Sequence, residues 1–316
     1  MLFDPLTQAR PLAWGFAGLA AASFALIVLG ALVRAHGAGL SCPDWPLCFG
    51  EWIPVFDLRV AFEWSHRVLA GSVTLGLAGL TLGIGRKPGW LRALRRPLVV
   101  AWALLAVQIA LGALTVLLRL VPWSVTAHLL VGTSFCGVLA WTSRDLLELG
   151  RDRAPVREQV SSSALVVLAL TVLLLFVQIT LGGMVSSHAA GLACTSFPTC
   201  DGAAIVPTLD GLVGLHVLHR LCAYALFPSY LLLAWLTLRS GRTGPLARWG
   251  MRLMLLQIGL GAANVLLMLP VEVTALHSAL ALAIVLVTGL IVREVVYARA
   301  ELPSRTPVGG EALEAK

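Results

Sequence analysis

Apolar residues along most of this chain run together instead of alternating with polar ones. Eight stretches are long and apolar enough to cross a bilayer: 11–33, 67–85, 98–118, 124–143, 164–185, 213–238, 251–269 and 274–292. About 20 mostly apolar helical residues span the hydrocarbon core. Inside it every backbone N–H and C=O must be satisfied within the chain, so each stretch is predicted to be an α-helix. The first is too long for the apolar region of a cleaved signal and runs into Arg34 where a small-residue cleavage site would stand, which keeps it as a span. The pattern predicts an all-α integral membrane protein with eight transmembrane helices.

Composition agrees. Of 316 residues, 58% are hydrophobic and 12% charged, where a soluble domain carries about 25% charged residues. This excludes a soluble enzyme, a disordered chain and a nucleic-acid binder. The net charge of +7 is a matter of placement. Eighteen of the 23 Lys and Arg fall in the two tails and in the loops after the second, fourth and sixth spans. These include Arg86, Lys87, Arg92, Arg95 and Arg96 in the first loop, and Arg144, Arg151, Arg153 and Arg157 in the next. Arg239, Arg242, Arg248 and Arg252 form the third set, and Arg293, Arg299, Arg305 and Lys316 end the chain. Only Arg34, Arg59, Arg67, Arg119 and Arg220 lie on the other side. The positive-inside rule then puts both termini in the cytoplasm and the remaining loops outside, in a cell membrane.

The chain repeats itself. Leu29–Cys42 followed by Cys48 matches Leu181–Cys194 followed by Cys200, with His36 opposite His188. Glu63-Trp-Ser-His66-Arg67 matches His216-Val-Leu-His219-Arg220. Gln108-Ile-Ala-Leu-Gly112 leading to His128 matches Gln257-Ile-Gly-Leu-Gly261 leading to His277. Two pseudo-symmetric four-helix bundles are therefore expected, residues 1–150 and 151–316, joined by the charged stretch Arg144–Gln159. Four spans per unit is an even number, so the units share one orientation and form a parallel repeat.

His66, His128, His219 and His277 each fall at the outer end of an even-numbered span. Ionisable residues within spans are costly and are functional candidates by default. Histidine is a common axial ligand of haem iron, and facing bundle helices can hold a macrocycle between two imidazoles. A single helix-end histidine is as readily an interfacial or hydrogen-bonded residue; four at duplicated positions argue for ligation. Zinc is disfavoured because no Cys or carboxylate stands at short ligand spacing.

Glu63 stands where the second half has His216, three residues before a candidate ligand and so on its helical face. A carboxylate at a porphyrin rim can take a proton or stabilise positive charge; the plainer alternative is a first-turn Glu complementing the helix dipole. Arg67 and Arg220 follow the candidate ligands and are candidate propionate contacts, or else anchors facing lipid headgroups. Cys42/Cys48 and Cys194/Cys200 fall in the long outer loops, 34–62 and 186–212, where an oxidising environment lets disulfides persist. Cys194/Cys200 reads as a structural clip. Cys42/Cys48 is open between a clip and a redox dithiol. Cys136 and Cys222 fall within spans as core residues.

Together, Gly-Leu-Ser-Cys42-Pro-Asp-Trp-Pro-Leu-Cys48, Glu63-x-x-His66-Arg67 and the duplicated plan with His128, His219 and His277 resemble the haem A synthase family over about residues 12–295. The resemblance implies an oxidoreductase that converts the C8 methyl of haem O to a formyl group by successive hydroxylations, making haem A for terminal oxidases. It implies His66 and His128 as ligands of the substrate haem O, His219 and His277 as iron ligands of a resident haem b, Glu63 as the essential carboxylate, and Cys42–Cys48 and Cys194–Cys200 as outer-loop disulfides. Its implied partners are the bilayer, a haem O synthase, an electron acceptor that no motif identifies, and a second copy of the chain. His36 departs from the small polar residue expected there, and the roles of His36, His188 and His216 stay open. With both imidazoles bound, the substrate iron has no free position for O₂; either one histidine lets go, or electrons leave through the ring and water attacks an activated methyl. The alternative function is a b-type cytochrome that only transfers electrons, which would hold haem b alone. A repeat-built transporter would purify colourless, and a membrane thiol oxidant would leave the four histidines unexplained.

Overall fold

The computed structural model describes residues 5–86, 88–149 and 160–299. Among these, eight α-helices form: α1 Pro5–Ala35, α2 Leu58–Gly85, α3 Pro88–Leu117, α4 Pro122–Leu149, α5 Ser162–Ser187, α6 Gly211–Leu236, α7 Thr243–Leu266 and α8 Val271–Arg299. A short 3₁₀ turn, Ala190–Leu192, follows α5, and the only strand-like pairing among the described residues is an isolated bridge between Cys48 and Glu51. The chain is all-α. Seven of its helices are long and apolar enough to cross a membrane, as expected of a multi-pass membrane protein. The remaining predicted span, 251–269, falls mostly in α7, which does not reach that apolarity because it carries Arg252, Gln257 and Asn264.

The helices outrun the apolar stretches that predicted them. Capping, not hydropathy, ends a helix: the Asp57 side chain accepts the Val60 N–H and starts α2 nine residues before the apolar run begins. Several expected loop residues are therefore helical. Arg92, Arg95 and Arg96 lie in α3, Arg144 lies in α4 where it pairs with Glu148 at 3.3 Å, and Arg248 and Arg252 lie in α7. The outer loops shrink to 36–57 and 188–210. Of the expected linker, residues 150–159 lie outside the described residues, as do Lys87, Arg151, Arg153, Arg157, Arg305 and Lys316.

Each set of four helices has its own apolar core, toward the end where α1 starts and α8 finishes. Phe16, Leu77, Leu98, Leu139 and their neighbours join α1–α4. Leu168, Leu233, Ile291 and then Leu175, Tyr230, Met254, Ile284 join α5–α8. The two sets meet through α1 against α8 and α4 against α5 and α8. At the terminal end this junction is ionic. Arg293 of α8 is 2% exposed and donates to Asp145 (2.7 Å) and Glu148 (2.8 Å) of α4 and to Glu294 (2.9 Å).

Repetition extends to the turns. Arg119 and Leu120 after α3, and Met268 and Leu269 after α7, all take positive φ. The second residue of each pair donates its N–H five residues back, Leu120 to Thr115 and Leu269 to Asn264, both at 2.7 Å. Leu120 then packs on Gly39 and Leu269 on Gly191, which ties each turn to the loop after α1 or α5.

Candidate functional site

The functional candidates gather at the end opposite the start of α1 and the end of α8. There each outer loop is closed by a disulfide, Cys42–Cys48 or Cys194–Cys200. An aspartate side chain organises each loop. Asp44 accepts the Phe49 and Gly50 N–H groups, both at 2.7 Å, and Asp201 accepts those of Ala203 (3.0 Å) and Ala204 (2.8 Å). These N–H groups, Gly50 first for Asp44 and Ala204 first for Asp201, hold both carboxyls below their ordinary range.

Below each loop, two residues four apart on the following helix grip it. On α2, Glu63 accepts the Cys42 N–H at 2.9 Å and pairs with Arg67 at 2.5 Å. Arg67 donates onward to the carbonyls of Asp44 (2.7 Å), Leu47 and Cys42 (3.1 Å). On α6, His216 Nδ1 lies 3.0 Å from the Ala190 carbonyl and 3.4 Å from the Cys194 nitrogen. Arg220 donates to the carbonyls of Ser196 (2.9 Å), Thr199 (3.0 Å) and Cys194 (3.4 Å). The two arginines, candidates for propionate contacts or for anchors facing headgroups, spend most of their donors on the cysteine loops. Glu63 is the sixth residue of α2, not a first-turn residue, which removes the helix-dipole reading; it is 5% exposed.

One turn below Glu63 and His216, level with Arg67 and Arg220, lies the histidine layer. His66 and His219 are the ninth residues of α2 and α6, and His128 and His277 the seventh of α4 and α8. At 1.5 Å per residue they sit roughly 10 Å inside their helices, within the first turns at the outer end. His66 is within electrostatic reach of His128, and His219 of His277. Each imidazole edge rests on a glycine of the preceding helix.

Glutamines accompany three of the four. Gln108 Nε2 lies 3.3 Å from His128 Nε2, Gln178 Nε2 lies 3.2 Å from His219 Nδ1, and Gln257 Nε2 donates to the His277 carbonyl at 3.0 Å. The aligned position on α1 is Leu26. Sequence reasoning recorded Gln108 and Gln257 only as repeat markers; the signal that would have found their place is Gln-x-x-x-Gly on α3, α5 and α7. His36 and His188 stay outside the layer. Each ring bonds a backbone carbonyl four residues back, of Leu32 and Met184, and His36 also stacks on Phe62 at 4.3 Å between ring centroids.

The donor set suits iron in a flat macrocycle. Nδ1 of His66, His128 and His277 is buried without a hydrogen-bond partner among the described residues, as is Oε1 of Gln108, Gln178 and Gln257. Two imidazoles per half match the two axial positions that a porphyrin leaves to the protein. No three His, Cys, Asp or Glu gather among the described residues into a closed ligand cage.

Comparison with known proteins points the same way. A family model described as COX15-CtaA, cytochrome oxidase assembly protein, matches residues 13–61 and 55–289. A protein of Shewanella oneidensis named heme A synthase is 32% identical over 302 residues, covering 80% of this chain and 87% of its own length. The protein of that name from Bradyrhizobium diazoefficiens is 26% identical, covering 89% of this chain and 90% of its own length. A third so named, from Alkalihalophilus pseudofirmus, is 30% identical over 71% of this chain and 76% of its own length.

Proposed function

The chain belongs to the COX15-CtaA family of cytochrome oxidase assembly proteins, and we propose that it is a haem A synthase, an enzyme that oxidises the C8 methyl of haem O to a formyl group. The observation that carries this reading is the layer of four buried imidazoles, His66 within electrostatic reach of His128 and His219 of His277, beneath a carboxylate in one half and an imidazole in the other. In it, residues 1–150 and 151–316 form two pseudo-symmetric four-helix bundles. α7 spans the membrane with the rest: its polar residues Gln257 and Asn264 are buried, turned away from lipid. Both termini are cytoplasmic and the disulfide loops lie outside.

His66 and His128 hold the substrate haem O; His219 and His277 hold haem b. When bound, haem b supplies a one-electron relay that takes electrons away from the substrate half. Converting a methyl to a formyl group with water as the oxygen source releases four electrons and four protons. Glu63 accepts protons at its carboxylate from the reacting carbon and its attacking water. Arg67, shared between Glu63 and three loop carbonyls, fixes the carboxylate and closes the cysteine loop over the reacting edge, excluding bulk water. His216 and Arg220 clamp the second loop over haem b, where no carbon is oxidised. The arginines keep their remaining donors, Nε among them, for propionates.

The test is expression with a haem O source, followed by porphyrin extraction and chromatography of wild type, His219→Ala and His66→Ala. Wild type yields haem b, haem O and haem A. His219→Ala loses haem b, and His66→Ala keeps haem b but makes no haem A. An unchanged absorption spectrum in His219→Ala overturns the assignment, and haem b alone in the wild type marks an electron carrier instead.

A further inference from the structure

The glycines beneath the four imidazoles carry a consequence for ligand geometry. A Cβ on Gly30 of α1 would stand 3.2 Å from His66 Cε1, and one on Gly112 of α3 would stand 3.2 Å from His128 Cε1. On Gly182 of α5 it would stand 3.1 Å from His219 Cε1, and on Gly261 of α7, 3.4 Å from His277 Cε1. In all four cases Nδ1 of the same ring, at 3.7–3.9 Å, is the only other atom within 4 Å. Every odd helix thus presents one glycine to the candidate ligand of the next helix, and to nothing else.

The usual reason for a glycine in a membrane helix is close approach of a neighbouring helix. Other glycines here serve that end: Gly15 meets Leu80, Gly76 meets Leu19 and Gly250 meets Tyr230. A glycine inside a helix costs about 0.5–1 kcal/mol relative to alanine. At the four imidazole positions no neighbouring helix backbone comes within reach to offset that, only a ring edge.

We propose that Gly30, Gly112, Gly182 and Gly261 are positioning residues that set the orientation of the four iron-binding imidazoles. Each lets the Cε1–Nδ1 edge lie flat against a helix backbone and so fixes the imidazole plane. This rests on the assignment of His66, His128, His219 and His277 as ligands. A methyl at 3.1–3.2 Å is tighter than ordinary contact, so the ring must shift by a few tenths of an ångström. Replacing these glycines therefore turns a ligand plane without removing a ligand.

The low-spin ferric signal of a bis-imidazole haem in electron paramagnetic resonance depends on the angle between its two imidazole planes, which makes it the readout, taken on purified holoprotein. Gly182→Ala is expected to shift the haem b signal at unchanged haem b content, and Gly261→Ala to shift it less, since its methyl sits at 3.4 Å. Gly30→Ala and Gly112→Ala leave the haem b signal in place and lower the haem O and haem A that co-purify. Gly259→Ala, two residues from Gly261 with open space at its Cβ, is the control and shifts nothing. An unmoved signal in Gly182→Ala overturns the inference, as does an equal shift from Gly259→Ala. If Gly182→Ala fails to accumulate, Gly261→Val, whose branched side chain crowds the His277 ring as a single methyl at 3.4 Å does not, decides. His219→Ala separates the two levels: if it retains the haem b signal, the ligand assignment itself fails. If it loses the signal while the glycine variants stay silent, only the glycine roles fail.

Discussion

Replacing Glu63 by glutamine keeps its size and removes its charge. In the wild type the carboxylate takes two donors, the Cys42 N–H at 2.9 Å and Arg67 at 2.5 Å, at a site 5% exposed. The Gln amide oxygen can keep one of them, and its NH₂ then faces the other donor. The loss is one charge-assisted hydrogen bond, about 1.5–3 kcal/mol. It stays below the roughly 3–5 kcal/mol of a stranded buried charge, because Arg67 keeps the carbonyls of Asp44, Leu47 and Cys42. A cost of about 2 kcal/mol is tolerable to a protein whose folding is worth about 5–15, so Glu63→Gln should fold and retain haem b. General acid–base groups contribute on the order of 10²–10⁴-fold to rate, so haem A should fall by at least the lower bound while haem O or a hydroxylated intermediate accumulates. The assay is chromatography of porphyrins extracted from purified protein, with thermal loss of the Soret band as the stability control. His216→Gln is the internal comparison, since His216 contacts Cys194 and Ala190 as Glu63 contacts Cys42 but faces no substrate in this scheme. Wild-type haem A output from Glu63→Gln would refute the role given to the carboxylate. An equal loss in His216→Gln would reduce it to loop stability.

Other outcomes follow from the same contacts. Arg293→Met takes the guanidinium from Asp145 and leaves Glu148 to Arg144 and Arg242, and Glu294 to Arg242, between α4 and α8; it should cost about 3 kcal/mol, the low end for a broken buried pair because those cations remain and Asp145 and Glu148 are each 27% exposed. A thermal midpoint that does not fall refutes it. Removing the Cys194–Cys200 link as the double serine variant frees a loop of sequence separation 6; chain entropy sets the loss near 2 kcal/mol, read as lower thermal stability with haem b content retained. Asp44 sits below its ordinary 3.8 in the folded loop, so its contribution is full above that value and is lost as pH falls through the lower folded value. Hydrogen exchange of residues 42–50, corrected for intrinsic rate, should quicken only in strong acid for wild type and already near neutrality in Asp44→Asn.

How much of this was legible in the sequence follows from what hydropathy and repetition can encode. The apolar runs gave the helices, and internal duplication paired His66 with His219, His128 with His277, and Glu63 with His216. These are properties of the chain taken locally or compared with itself. Helix ends were misplaced because they depend on caps such as Asp57. The rotation of each helix about its axis was not legible, because a membrane helix is apolar toward both lipid and core and its sequence does not mark one face. Rotation decides that Arg67 and Arg220 turn into the cysteine loops and that Arg293 reaches Asp145 and Glu148. It also decides that four glycines, Gly112 and Gly261 among them marked only by the repeat, lie against four imidazoles. The sequence determined which chemistry the chain carries and at what depth. The tertiary structure decided which groups touch, because contact depends on how the packed helices turn their faces toward one another.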